Sequence, residues 1–138
     1  MKKAITKSGF TLVELAVVIV IIGVLAAFVV PRFRASIEQA KAAEAFNYLS
    51  CVQTAQECYN AKWGTYADDV NNLDIKFNTP RYFSVDPVAA GDTGIESSWS
   101  LTLKRKGAAA GYGDYTVIFT ENGFDSANSD IPSEISPV

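Results

Sequence analysis

The fold of this chain is decided by residues 7–31, which read KSGFTLVELAVVIVIIGVLAAFVVP. From Phe10 to Val30 the only charged side chain is that of Glu14. An apolar run of about 20 residues matches the roughly 30 Å hydrocarbon thickness of a lipid bilayer. Lysines precede the run, and Arg32 and Arg34 follow it. The run therefore predicts a helix that spans a membrane.

The order of the signals around this run distinguishes it from an ordinary secretory signal, which has its cleavage site after a shorter apolar core. Here the small residues Ser8 and Gly9 come before the apolar run. An uncleaved single-span anchor is the alternative, with the basic leader on the cytoplasmic side. That alternative leaves Glu14 unexplained, because a carboxylate inside a bilayer is costly and calls for a cation. Cleavage before Phe10 would supply one, since a new α-amino group four positions from Glu14 shares its helix face, on the same or a neighbouring chain.

The motif at residues 7–14, followed by the apolar run, resembles the leader and N-terminal helix of type IV prepilins. The pseudopilins of type II secretion share this signature. The resemblance implies that a prepilin peptidase and methyltransferase removes residues 1–9 by cutting after Gly9, and that it N-methylates Phe10. It also implies that Glu14 neutralises the N-terminal amine of the preceding subunit during filament assembly.

The resemblance further implies the partners and the location of the chain. The precursor is expected to lie in the inner membrane as a single-pass protein. An inner-membrane assembly platform with its ATPase would then build a helical homo-oligomeric filament that spans the periplasm or extends outside the cell. No catalytic residue, cofactor or metal ion is expected, because the catalytic carboxylates belong to the peptidase. Nucleic acid is an open alternative partner that the composition does not support.

The composition narrows the function classes. The 138 residues suffice for one compact domain and include no histidine, which excludes Ser-His-Asp and Cys-His catalysis and most zinc sites. The 12 basic and 15 acidic side chains give a formal charge of −3. Removal of residues 1–9 takes away three lysines, so that the remaining chain has a charge of −6. This acidic balance argues against phosphate-rich partners, whose binding depends on clustered Lys and Arg.

Helical spacing of apolar residues resumes after Pro31 and continues to about Lys62, which predicts one helix of about 53 residues, on the order of 80 Å long. A kink is expected at Gly23 and Pro31, because proline lacks the N–H that would bond the carbonyl of Ala27. The predicted core stripe comprises Ala42, Ala45, Leu49, Val52, Ala55, Tyr59 and Trp63, and the opposite, solvent-facing side carries Asn47, Ser50, Thr54 and Glu57.

After Gly64, a helix stop signal, a turn-rich stretch at residues 65–80 predicts a loop from helix to sheet. Strands are predicted at residues 81–85, 98–104 and 115–120, joined by a glycine-rich connection at 107–113 and followed by a polar tail from Asn122. The predicted fold is α+β, a long N-terminal helix packed on a small antiparallel sheet. Its parts are a leader at 1–9, a hydrophobic helix at 10–31 and a globular domain at 32–138.

Two weaker features concern cysteines and charges. Cys51 and Cys58 lie seven residues apart, so on an unbroken helix their Cα atoms are about 10.5 Å apart, beyond the roughly 7 Å reach of a disulfide. No disulfide is therefore predicted. The basic run at residues 104–106 is either a DNA contact or a solvated turn, and a short charge run is more often the latter.

Three functions stay open at this point. The first is the major subunit of a type IV pilus, a structural polymer used for adhesion, motility or DNA uptake. The second is a pseudopilin of a type II secretion system. The lack of a clear calcium segment near the C-terminus counts against it, and the lack of a disulfide counts for it. The third is a membrane-anchored periplasmic enzyme or binding domain, for which the sequence offers no catalytic constellation.

Overall fold

A computed structural model describes residues 9–76, 78–107 and 109–138 of the chain. The predicted leader lies, apart from Gly9, outside the described residues. One long helix is followed by a short 3-10 helix and five strands, and the predicted α+β architecture is confirmed. The elements are α1 (Leu12–Trp63), the 3-10 helix (Val70–Asn72), β1 (Phe83–Val85), β2 (Ala89–Ala90), β3 (Trp99–Arg105), β4 (Thr116–Thr120) and β5 (Gly123–Phe124).

The chain divides into two compact units, one ending at Arg34 and the other comprising Ala35–Val138. Helix α1 contributes to both and has 52 residues, close to the length expected from the sequence. It ends where Gly64 adopts a φ of 75°, and the Gly64 N–H donates to the carbonyl of Asn60 at 2.7 Å. A glycine at this position is the usual helix stop, because it accepts the left-handed conformation without a steric penalty.

The sheet of the second unit is antiparallel throughout and is built around β3. Strands β1 and β2 pair with successive parts of one edge of β3, while β4 pairs with its other edge and β5 with β4. The predicted strands are confirmed with small shifts at their ends. The sequence patterns missed β2 and β5, because two-residue strands are too short to show alternation.

The core of the second unit lies between α1 and one face of this sheet. The inward-facing side chains of β3 and β4 alternate along each strand, and those of α1 recur at helical spacing. The predicted stripe is buried at Ala42, Ala45, Leu49 and Val52. The prediction is wrong at Trp63, the last residue of α1, whose side chain is 62% exposed.

The C-terminal tail is held against the domain rather than left free. Thr116 and Asp130 exchange backbone hydrogen bonds of 3.1 and 3.4 Å beside β4. The Ser129 hydroxyl accepts from the Ile118 N–H at 2.9 Å. Near the end of the chain, Ile135 is fully buried in the core. Ile135, together with the partly buried Ile131 and these hydrogen bonds, therefore fixes the tail.

Candidate functional site

The first turn of α1 contains the carboxylate that the sequence singles out. Thr11 directly precedes the helix, and its hydroxyl oxygen accepts from the Glu14 N–H at 3.1 Å. In return, Glu14 Oε2 accepts from the Thr11 N–H at 2.9 Å and from the Thr11 hydroxyl at 3.1 Å. This reciprocal arrangement is a capping box, which satisfies N–H groups that would otherwise lack partners at the helix start.

The capping box gives Thr11 a function that the sequence reasoning missed, although the spacing Thr-x-x-Glu before an apolar run is its signal. It also places the Glu14 carboxylate at the positive end of the helix dipole. Phe10, the predicted new N-terminus, is the next residue upstream and is 88% exposed. An amine created there would thus be covalently attached beside a carboxylate that already faces the end of the helix.

The surface that follows this turn is apolar on all sides. Between residues 12 and 34 of the first unit every side chain is exposed. Helix α1 is long and apolar enough to cross a membrane, with a most hydrophobic window of mean hydropathy 3.0, none of it buried inside the protein. Gly23 and Pro31 both lie within α1, and no atom of another residue lies within 4 Å of a side chain added at Gly23. The kink at these two positions stays a prediction.

A second cluster of functional-type side chains lies inside the globular unit, where sequence reasoning placed none. Arg105 Nε donates to Glu38 Oε1 at 2.5 Å, and Arg105 Nη2 donates to Glu38 Oε2 at 3.2 Å. The Tyr115 hydroxyl donates to Glu38 Oε1 at 2.9 Å. Arg105 also donates to the backbone carbonyls of Tyr82 and Lys106. Glu38 is fully buried, and Arg105 and Tyr115 are nearly so.

This cluster shifts the ionisation of all three groups. Burial is the largest influence on the pKa of Glu38 and raises it, but the hydrogen bonds and positive charges of Arg105 and Lys41 and the Tyr115 hydroxyl outweigh burial, so the pKa is lowered overall. The bond to Glu38 raises the pKa of Arg105. Burial, together with the adjacent Glu38 carboxylate, raises the pKa of Tyr115 well above its usual value. The pair is therefore ionised and the phenol neutral at physiological pH.

The cluster corrects both interpretations of the basic run at residues 104–106. Arg105 is neither a DNA contact nor part of a solvated turn, because strand alternation turns it inward with Leu101 and Leu103. Lys104 Nζ instead pairs with Asp86 Oδ2 at 2.7 Å on the outer face. Of the three basic residues only Arg105 is buried, and Lys106 is exposed.

Both cysteines carry free thiols, Cys51 half-buried and Cys58 exposed, on an uninterrupted stretch of α1. Across residues 9–76, 78–107 and 109–138, no group of three or more Cys, Asp or Glu side chains is placed to hold a metal ion.

Comparison with known proteins gives a match to the N-terminal segment and matches that extend into the globular unit. Residues 6–30 match a family model described as the prokaryotic N-terminal methylation motif. Over 125 residues the chain is 31% identical to the fimbrial protein EcpC of Eikenella corrodens, which covers 89% of this chain and 80% of that protein.

Two further relatives match over shorter stretches. The chain is 33% identical over 100 residues to the type IV major pilin protein PilA of Myxococcus xanthus, covering 72% of this chain and 46% of the relative. It is 36% identical over 74 residues to type II secretion system core protein G of Aeromonas hydrophila, covering 54% of this chain and 52% of the relative. The chain thus spans about half the length of these two proteins.

Proposed function

This chain belongs to the family that unites type IV pilins with the pseudopilins of type II secretion, and from that membership we propose that it is the major structural subunit of a type IV pilus. Its copies polymerise into a helical surface filament used for adhesion, motility or DNA uptake. The protein is a structural component and catalyses no reaction.

The observation that carries this proposal is the apolar surface of α1 in the first unit, where none of the most hydrophobic window is buried. Side chains such as Val20 and Leu25 are 64% and 60% exposed. Such a surface is stable in lipid but not in water, because transfer of apolar area into water is unfavourable. A subunit that leaves the bilayer must therefore exchange its lipid contacts for contacts with the same helix of other copies.

Processing and charge pairing complete the mechanism. Cleavage after Gly9 frees the Phe10 amine, which the peptidase then methylates. In the membrane, Glu14 caps its own helix through Thr11. During assembly the same carboxylate pairs with the Phe10 amine of the preceding subunit, which brings two charges together in an apolar bundle instead of leaving each unpaired. A contact between different surfaces of successive copies produces an open helical filament when the rotation from copy to copy does not close a ring.

A pseudopilin of a type II secretion system is the second candidate, and the match to core protein G favours it. The extent of the matches favours the pilus, because the fimbrial relative aligns over 89% of this chain and the secretion relative over 54%. Assembly of either polymer depends on the inner-membrane platform and its ATPase, and the precursor starts as a single-pass inner-membrane protein.

The proposal is tested on filaments sheared from the surface of producing cells. Intact-mass analysis of the dominant subunit is expected to give a chain that starts at Phe10 and carries one N-methyl group. A dominant subunit that retains residues 1–9 would overturn the processing step. Surface fibres of unchanged number after deletion of the gene would overturn the assignment to a pilus.

A further inference from the structure

A groove of about 880 Å³ runs along the C-terminal part of α1 within the second unit. Its other wall is the segment 72–76 that follows the 3-10 helix, and we call it the α1–loop groove. Tyr59 and Trp63 form its aromatic part, with ring centroids 6.3 Å apart. Trp63 was predicted to be buried in the core stripe but is exposed. Tryptophan and tyrosine are typical of the central, energetically dominant part of protein interfaces.

Both cysteines of the chain also line this groove. Cys58 is exposed, and an accessible free thiol is open to oxidation and disulfide exchange. In a protein that leaves the cytoplasm, a cover over the groove would keep both thiols reduced without pairing them. The groove therefore combines two features, an exposed indole and unpaired thiols, that a permanent cover would protect from solvent.

The charges at the groove indicate what covers it. Lys62 and Lys76 line the groove together with a single acidic residue, Asp74. Within the part of the chain that the structure describes, neither lysine forms an ion pair. The last part of the sequence is the opposite in charge, since no Lys or Arg occurs after Lys106. Its acidic residues are Asp114, Glu121, Asp125, Asp130 and Glu134.

The groove and the β4–β5 turn lie on opposite sides of α1, and the tail that follows this turn is fixed beside β4 and contributes no residue to the groove. The Gln53 side-chain amide donates to the carbonyl of Glu121 at 3.1 Å, which places the β4–β5 turn on the Gln53 side of the helix. Gln53 follows Cys51 by two residues, and two residues turn an α-helix by about 200°. The groove of one subunit is therefore not lined by its own tail, but the tail of a second copy can cover it, and such a heterologous contact builds an open filament where the rotation between copies does not close a ring.

We propose that in the filament the α1–loop groove of each subunit is covered by the acidic C-terminal segment, residues 125–138, of a second copy of this chain. Trp63 then packs under the neighbour's tail, and Lys62 and Lys76 face Asp130 and Glu134, both of which are exposed in the single subunit. This inference rests on the proposed function, because it needs an assembled filament. It adds to the helix bundle a specific contact between globular units.

The first arm of the test measures the accessibility of the Cys58 thiol. A Cys51→Ser variant leaves Cys58 as the single thiol, and its alkylation by a maleimide is timed in intact filaments and in the same subunits dispersed by detergent. Labelling in filaments is expected to be slower by roughly tenfold or more, since it then requires local opening of the contact. Equal rates in the two samples would overturn the proposal and leave the groove open to a different occupant.

The second arm identifies the occupant in the same background. Asp130→Asn combined with Glu134→Gln neutralises the tail, and Asp92→Asn combined with Glu96→Gln is the matched control, because these two acids are equally exposed but lie outside the tail. The tail pair is expected to accelerate Cys58 labelling in filaments, or to prevent filament formation, whereas the control pair changes neither. Equal effects of the two pairs would overturn the tail as the occupant.

Electron microscopy of each sample separates the two levels of failure. Filaments in which Cys58 reacts freely would overturn this contact and leave the proposed function intact. Absence of filaments from the wild-type subunit would overturn the proposed function, and this contact with it.

Discussion

Glu38 and Arg105, 67 positions apart in the sequence, form a bidentate ion pair in the interior of the globular unit. The pair joins α1 to the last residue of β3, and the Tyr115 hydroxyl binds the same carboxylate. Desolvation of two charges is costly, so such a pair adds little net stability relative to an apolar core. Its effect is to specify how α1 packs on the sheet, because any other register would leave a charge buried without a partner.

The ion pair gives the first prediction. Arg105→Met leaves the Glu38 carboxylate buried without its main partner and is expected to lower the free energy of unfolding by about 3–5 kcal/mol. Lys104→Met is the matched control, since the Lys104–Asp86 pair is at the surface and such pairs contribute about 0–1 kcal/mol. Urea unfolding of residues 35–138, followed by tryptophan fluorescence, measures both. Similar losses in the two variants would contradict the buried role of Arg105.

Acid stability follows from the same carboxylate. The pKa of Glu38 is lowered from 4.5 in the folded protein, so its contribution is present above that value and is lost as pH falls through the folded pKa. Melting temperatures measured from neutral pH to about pH 3 should therefore fall more steeply for the wild-type domain than for Glu38→Gln, which cannot titrate there. If the melting temperatures of the two proteins fell equally with pH, the protonation of Glu38 would not affect folding.

The C-terminal anchor gives a prediction about the tail. Ile135→Ala removes a fully buried side chain from the core and is expected to cost about 2–5 kcal/mol. Val138→Ala is the control, because Val138 is 78% exposed and should change stability by less than about 0.5 kcal/mol. Thermal unfolding of both variants measures the two losses of stability. A tail that becomes protease-sensitive in Ile135→Ala but not in Val138→Ala would support the anchor; equal stability of the two would contradict it.

The double role of Glu14 separates capping from charge pairing. Glu14→Gln keeps a side-chain oxygen for the Thr11 N–H but has no charge for a neighbour's amine, so the subunit is expected to insert, be processed and form few or no filaments. Thr11→Ala removes the hydroxyl that caps the Glu14 N–H and keeps the carboxylate, and is expected to retain most of the filament yield. Filament mass per cell and membrane-fraction immunoblots measure the two steps. The opposite ranking of the variants would mean that capping, not charge, governs assembly.

The sequence was sufficient for the long helix, its stop at Gly64 and the three longer strands, because each rests on a local period or a local backbone preference. Both residues of the buried ion pair also fit these spacings. Glu38 lies one turn before Ala42 on the buried stripe, and Arg105 follows Leu103 by two positions on the inward face of β3. The prediction treated residues 104–106 as one basic run and so overlooked that Arg105, like Glu38, lies at an inward-facing position.

Other features depend on contacts that no local pattern encodes. Trp63 has the correct spacing for the core stripe, yet its side chain is exposed at the last residue of α1. The α1–loop groove likewise arises from a helix and a loop brought together by the fold. Packing between parts of the chain that are distant in sequence determines both.

The central claim is that this chain is the repeating subunit of the filament and not a rare component of it. Immunogold electron microscopy with antibodies raised against residues 35–138 tests this most directly. The account predicts surface fibres that are labelled along their whole length and that disappear when the gene is deleted. Fibres labelled only at one end, or fibres that persist unlabelled after deletion, would contradict it.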